Sequence, residues 1–119
     1  CMKHLTLSNT QFIGANFISV DMSHANLEYA TFDGAILKNV DFSNAFLIHA
    51  SFKNVIFKNC KFIGSICSGT DFSGATFEGE NDFALADLSD AKITGEQLQQ
   101  ITNLESGTLP NDKIYETKI

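Results

Sequence analysis

The stretch that decides the fold is Ala25-Asn26-Leu27-Glu28-Tyr29-Ala30-Thr31-Phe32-Asp33-Gly34-Ala35-Ile36-Leu37-Lys38-Asn39-Val40-Asp41-Phe42-Ser43-Asn44. A large apolar residue returns at every fifth position, as Leu27, Phe32, Leu37 and Phe42. A small residue stands two before each of them: Ala25, Ala30, Ala35 and Val40. The remaining positions are mostly Asp, Asn, Ser, Lys, Gly and Thr. Working outward, the large series runs unbroken from Phe12 through Phe17, Met22, Leu47, Phe52, Phe57, Phe62, Cys67 and Phe72 to Phe77. With 44% of the chain apolar, fourteen such hits in one phase have a chance of about one in 10⁵. Leu7 extends the series backward, and the small series keeps step with it from Thr10 to Ala75.

A period of five suits neither an α-helix at 3.6 nor a plain strand at 2. A helix would smear the series around its circumference. A long strand would turn alternate phenylalanines to opposite faces. The pattern requires a chain that turns a corner in every unit, with the large residue and the small one two before it both pointing inward. Square corners close after twenty residues. At that spacing the corner position reads Gly14, Gly34, Asn54 and Gly74, residue types that accept positive φ at the third position of a type II turn. The column Tyr29, His49, Gly69 does not read this way. Val20-Asp21-Met22-Ser23 and Val40-Asp41-Phe42-Ser43 also recur at twenty. Four faces per coil follow.

Units such as Ala25-Asn26-Leu27-Glu28-Tyr29, Ala15-Asn16-Phe17-Ile18-Ser19 and Ala86-Asp87-Leu88-Ser89-Asp90 resemble the A-(D/N)-(L/F)-x-x consensus of pentapeptide-repeat proteins. The resemblance covers about residues 5–94. It implies an all-β fold, a right-handed quadrilateral parallel β-helix of four to five coils. The handedness is implied by the resemblance alone. The repeats of that family are scaffold, so they say little of function.

The phase slips once. After Phe77 the next large residue is Phe83, six away, across Glu78-Gly79-Glu80-Asn81-Asp82. One inserted residue predicts an outward bulge at a corner. Gly95 then continues the Gly14 column. Thr94 and Gln97 have capping-box spacing, and Leu98 and Ile101 share a helical face. A capping helix is expected at 95–103, resembling the C-terminal helix of many chains of the family. A C-terminal tail is expected at 104–119, loosely held from Leu109-Pro110 to Ile119. No matching cap precedes Leu5 and Leu7. The cross-section near Phe12, Phe17 and Met22 is therefore expected to be open, either packed on a second copy or continued by further chain upstream.

The chain has 119 residues and a net charge of −6, one small domain with an acidic balance. Eight lysines and no arginine argue against direct nucleic-acid binding, which needs a basic face. The imbalance is local: residues 1–70 carry +1 and residues 71–119 carry −7. No apolar run is long enough to span a membrane, so no membrane partner is expected. The compartment is expected to be the cytoplasm or, for a secreted effector, outside the cell.

Cys60 and Cys67 fall on the inward series and read as inert core thiols. His24 and His49 occupy exposed corners without ligand-spaced neighbours. Asp21 and Asp41 stack with Lys61 as a solubilising stripe. No phosphate loop or nucleophile elbow exists. No catalytic residue, cofactor or metal is expected. The outward positions carry the better clue. Phe46 and Ile66 share one column, with Ile48 and Ile63 beside them, and Phe46 is the only phenylalanine off the lattice. Ile36 and Ile56 share a second column. Clustered outward apolar residues suggest an interface.

The expected function is a non-catalytic structural or protein-interaction scaffold, free-standing or the β-helical part of a longer bacterial protein such as an effector. Its expected partners are a protein of undefined identity and a second copy at the open N-terminal end. The alternative is a duplex-DNA mimic that inhibits gyrase, as the resemblance implies for some members. Four to five coils at about 4.8 Å each give only about 20–25 Å of rod, and Lys38, Lys53, Lys58 and Lys61 interrupt the acidic surface.

Overall fold

The computed structural model describes residues 2–110. Four short strands, β1 (Asn16–Ile18), β2 (Ile36–Lys38), β3 (Ile56–Lys58) and β4 (Thr76–Glu78), form one parallel sheet in chain order. Each pairs with the next in a register of twenty: Phe17 with Leu37, Leu37 with Phe57, Phe57 with Phe77. Three further ladders of single bridges step by twenty up to residue 71 and by twenty-one across and beyond the slip. One runs Thr6, Asn26, Phe46, Ile66, Asp87, Thr108; one Gln11, Thr31, Ser51, Asp71, Lys92; one Asp21, Asp41, Lys61, Asp82, Asn103. In chain order these are faces A (Asn26), B (Thr31), C (Ile36) and D (Asp41). Face A is therefore opposite face C. The chain is a right-handed quadrilateral parallel β-helix, about 35 × 23 × 21 Å.

The five-step lattice is the core. Leu27, Phe32, Leu37, Phe42, Leu47, Phe52, Phe57, Phe62, Cys67 and Phe72 are fully buried, as are Ala25, Ala30, Ala35 and Ala45 beside them. The coil spacing sets the ring spacing. Phe12, Phe32, Phe52 and Phe72 stack with centroids 4.8, 4.8 and 5.5 Å apart. Phe42, Phe62 and Phe83 make a second stack at 4.9 and 4.3 Å. Rings of neighbouring stacks meet edge-on, as Phe42 does Phe52 at 75°, the arrangement aromatic quadrupoles favour. At the N-terminal end, Leu7, Phe12 and Phe17 are only partly buried, because no described coil lies below them.

The corners explain the consensus. At faces A, B and D the residue three after each large one closes a turn, as Ala30 N–H does on the Leu27 carbonyl at 3.0 Å. Its predecessor has positive φ. This holds for Gly14, Gly34, Asn54 and Gly74, and equally for Tyr29, His49 and His24. The Tyr29–His49 column thus follows the same backbone rule as the glycine column. The Tyr29 and His49 rings of successive coils stack at 5.3 Å. The Asx of the consensus serves the same corner: Asp21, Asp41, Asp71 and Asp87 accept the backbone N–H two residues on, at 2.8–3.0 Å.

The slip after Phe77 is absorbed inward as well as outward. Glu80 is exposed, but Asn81 is fully buried. Its side chain accepts the Cys60 N–H at 2.9 Å and donates to the Glu78 carbonyl at 2.9 Å. Gly95 leaves the corner column and opens helix α1 (Gly95–Gln100), with Thr94 as N-cap and Gln97 completing the capping box. Gln97 donates to the carbonyls of Phe72 and Ala75 at 2.7 and 2.9 Å, so side-chain amide replaces strand pairing above the coil beneath. The helix is shorter than the expected 95–103. The ladder also does not stop at residue 94. Phe83 N–H donates to the Asn103 carbonyl and Leu88 N–H to that of Thr108, so backbone pairing continues through residues 103–108. The rest of the expected tail, residues 111–119, lies outside the described residues.

Candidate interaction surface

Rigid ladders fix what each face shows. On face A, Phe46 and Ile66 are direct bridge partners, because both sit one before an inward lattice residue. Phe46 is 43% exposed, while Ile66 and Ile48 are half-buried. Ile63, also half-buried, turns the corner from face D toward Ile66, with its carbonyl accepting the Asn44 N–H at 2.9 Å. Leu85 stands on that same corner, one coil above Gly64. It is 62% exposed and has φ of 63°. A bulky residue in the left-handed region costs about 1–2 kcal/mol, so its place there is not one that folding favours. The outward series of the sequence missed Leu85, since it lies on a corner column after the phase slip.

The second column is on face C, where Ile36 and Ile56 pair directly, 43% and 36% exposed. Ile18 continues the apolar character on β1, in the column of Lys38 and Lys58. The charges divide by face. On the face A segments 25–29, 45–49, 65–69 and 86–90 the charged residues are Glu28, Asp87 and Asp90. Face C carries Lys38 and Lys58, with Glu78 and Glu96 only toward the α1 end.

The residues weighed for chemistry serve the fold. Cys60 and Cys67 are free and buried. Burial pushes the Cys60 thiol up to about 11 and that of Cys67 up to about 12, far from a reactive thiolate. Asp21 and Asp41 do stack with Lys61. The Asp21 carboxyl is held low chiefly by the Ser23 hydroxyl. For Asp71, burial pushes upward, but the Ser73 hydroxyl and amide, with Lys92 and Lys53, outweigh it. His24 and His49 lie on different corner columns, with His4 stacked on His24 at 4.8 Å. Among the described residues, no three His, Cys, Asp or Glu side chains group as metal ligands. No helix among them is long and apolar enough to cross a membrane. An open polar groove of about 420 Å³ lies beside the phase slip, lined by Asn39, Asn59, Lys61, Glu80, Asp82 and Asn103 among others. Among the described residues no buried side-chain nitrogen or oxygen lacks a partner.

The comparisons agree with this architecture. A pentapeptide repeat protein from the cyanobacterium Cyanothece 51142, Rfr23, superposes with a TM-score of 0.58 at 13% identity, over 93% of this chain and 91% of that one. A pentapeptide repeat protein of the Arabidopsis thaliana thylakoid lumen gives 0.49 at 23% identity, over 81% and 73%. QnrB1, a plasmid-mediated fluoroquinolone resistance protein, gives 0.38 at 17% identity, over 90% and 81%. No curated protein matches. The pentapeptide repeats profile matches eight copies, across residues 6–44 and 41–79. That is well over half of the chain, and with the twenty-residue coil it makes this chain a member of the pentapeptide-repeat family.

Proposed function

We propose that this chain is a non-catalytic β-helical scaffold that docks a protein partner through Phe46, Ile48, Ile63 and Ile66 on face A. The observation that carries the reading is the bridge pair Phe46 and Ile66: two large apolar side chains side by side on outward positions that are otherwise mostly polar. They lie above a core already filled by the inward lattice, so folding gains little from them. Burying each at a partner is worth about 1.5–3 kcal/mol before the entropic cost of association. The buried thiols and the carboxylates engaged in corner turns support the non-catalytic part. Ile36 and Ile56 form a second candidate contact, and the partly exposed ring layer at Phe12 and Phe17 a third.

The DNA-mimic alternative is less well supported. Lys38 and Lys58 form an exposed basic column on face C, and the body is 35 Å at its longest. The test uses the immobilised protein and its Phe46→Ser/Ile66→Ser variant, with equal melting temperatures as control. Proteins from the source cell retained by the parent and lost by the variant are the expected result. Identical retention by both overturns the patch. Inhibition of gyrase supercoiling by the parent would favour the alternative.

A further inference from the structure

Faces A and C are opposite each other, and their surfaces are complementary. Face A presents Phe46 and Ile66 with Glu28, Asp87 and Asp90 as its charges and no lysine on the segments given above. Face C presents Ile36 and Ile56 with Lys38 and Lys58 beside them. Face A's charges are all acidic, while the Ile36–Ile56 pair on face C has two lysines beside it and its acids, Glu78 next to Lys58 and Glu96, only toward the α1 end. Like faces brought together would set lysine against lysine or carboxylate against carboxylate, which disfavours a two-fold pairing of either face with itself. Face A against face C sets Ile and Phe against Ile and carboxylates near ammonium groups.

We infer that the occupant of the face A patch is face C of a second copy of this chain, in a head-to-tail lateral contact that repeats. The inference rests on the proposed reading of the patch and names its partner. Such a contact is heterologous. Because A and C are opposite, the second copy offers its own free face A to a third, so the assembly stays open rather than closing as a dimer. A whole face spans about 35 × 21 Å, and a contact confined to the part around the two apolar pairs covers less than the roughly 800 Å² per partner of a standard interface. The association is therefore concentration-dependent, and salt weakens it through the charged flanks.

The experiment is sedimentation velocity on purified full chain, from about 10 μM to 1 mM. It uses a face A variant, Phe46→Ser/Ile66→Ser, and two face C variants, Ile36→Ser/Ile56→Ser and Lys38→Glu/Lys58→Glu. Melting curves confirm that each is folded, and the lysine pair keeps the test open should the isoleucine pair destabilise β2 and β3. The parent should grow in mass with concentration beyond a dimer, and each variant alone should remain a monomer. A mixture of the face A variant with either face C variant should form a dimer and stop there, since only one intact A and one intact C face are present. Association lost only in the face A variant would mean face A pairs with itself and overturns the inference. Variants that all associate like the parent would point to the N-terminal ring layer and overturn it too. A parent that stays monomeric while its face A variant still loses a captured partner would sink the self-pairing and leave the patch reading standing.

Discussion

Phe52→Ala tests how the coils are held together. Phe52 is fully buried in the middle of the described coils. It stacks on Phe32 at 4.8 Å and on Phe72 at 5.5 Å, and meets Phe42, Phe57 and Phe62 at 5.8, 5.2 and 6.2 Å. Five ring neighbours in three successive coils lose their partner together. The backbone ladder fixes coil spacing on both sides, so the void cannot collapse. Phe→Ala in such a site costs about 3–5 kcal/mol. For a chain of this length each kcal/mol lowers Tm by about 4 °C, which gives a fall of about 12–20 °C. The control is Phe46→Ala, the same chemical change at a position 43% exposed, where less than about 1 kcal/mol is expected. The assay is thermal unfolding followed by circular dichroism, with urea unfolding beside it. Equal falls for the two variants would refute the inward and outward assignment of the five-step lattice.

Asn81→Ala should cost about 1–3 kcal/mol in urea unfolding, because the buried Cys60 N–H loses its acceptor and the Glu78 carbonyl loses one of its two donors. Parent-like stability would mean the phase slip does not depend on that side chain. Gly74→Ala should also destabilise, by about 1–2 kcal/mol, since φ is 71° and the Asn54 side chain occupies the space a Cβ needs. Gly95→Ala, at an open helix start, should not. In a Cys1→Ser background, Cys60 and Cys67 should resist thiol reagents at pH 8 and both react on unfolding. Their raised folded pKa values also mean that stability is complete below the ordinary thiol value of 9.0 and is lost as pH rises toward about 11 and 12. Asp71 has the opposite sign. Its lowered pKa contributes stability above the ordinary carboxylate value of about 4, which is lost as pH falls through the folded value. Asp71→Asn should flatten that acid limb of the stability profile.

The lattice was legible because every inward position obeys one size rule, from Phe12 to Phe77. The coil length was legible from Gly14, Gly34, Asn54 and Gly74. Tyr29 and His49 hid the same backbone state, since their residue types do not announce positive φ. Asp21 and Asp41 read as surface charge because an Asx turn looks, in sequence, like any polar loop. Asn81 was missed for a related reason: a polar residue on the inward series reads as a break, whereas here its amide repairs the ladder. Gly95 fitted the corner column by spacing, but the capping box of Thr94 and Gln97 took precedence. Pairing of Asn103 and Thr108 with the coil below could not be read, since no five-step apolar series marks it. Phe46, Ile66, Ile36 and Ile56 were legible as columns. That the two columns lie on opposite faces with opposite charge followed only once the corners were placed.

The central claim is that twenty residues make one closed coil, and distances between spin labels test it directly. In a Cys-free background, labels at Thr31 and Asp71 are forty residues apart on one ladder and should lie about 10 Å apart at the backbone, two coil spacings. Labels at Thr31 and Asp41 are only ten residues apart but on opposite faces, across a body 21–23 Å wide. The pair farther apart in sequence should be the closer in space. If Thr31 and Asp41 prove nearer than Thr31 and Asp71, the chain does not close in four faces, and the account fails.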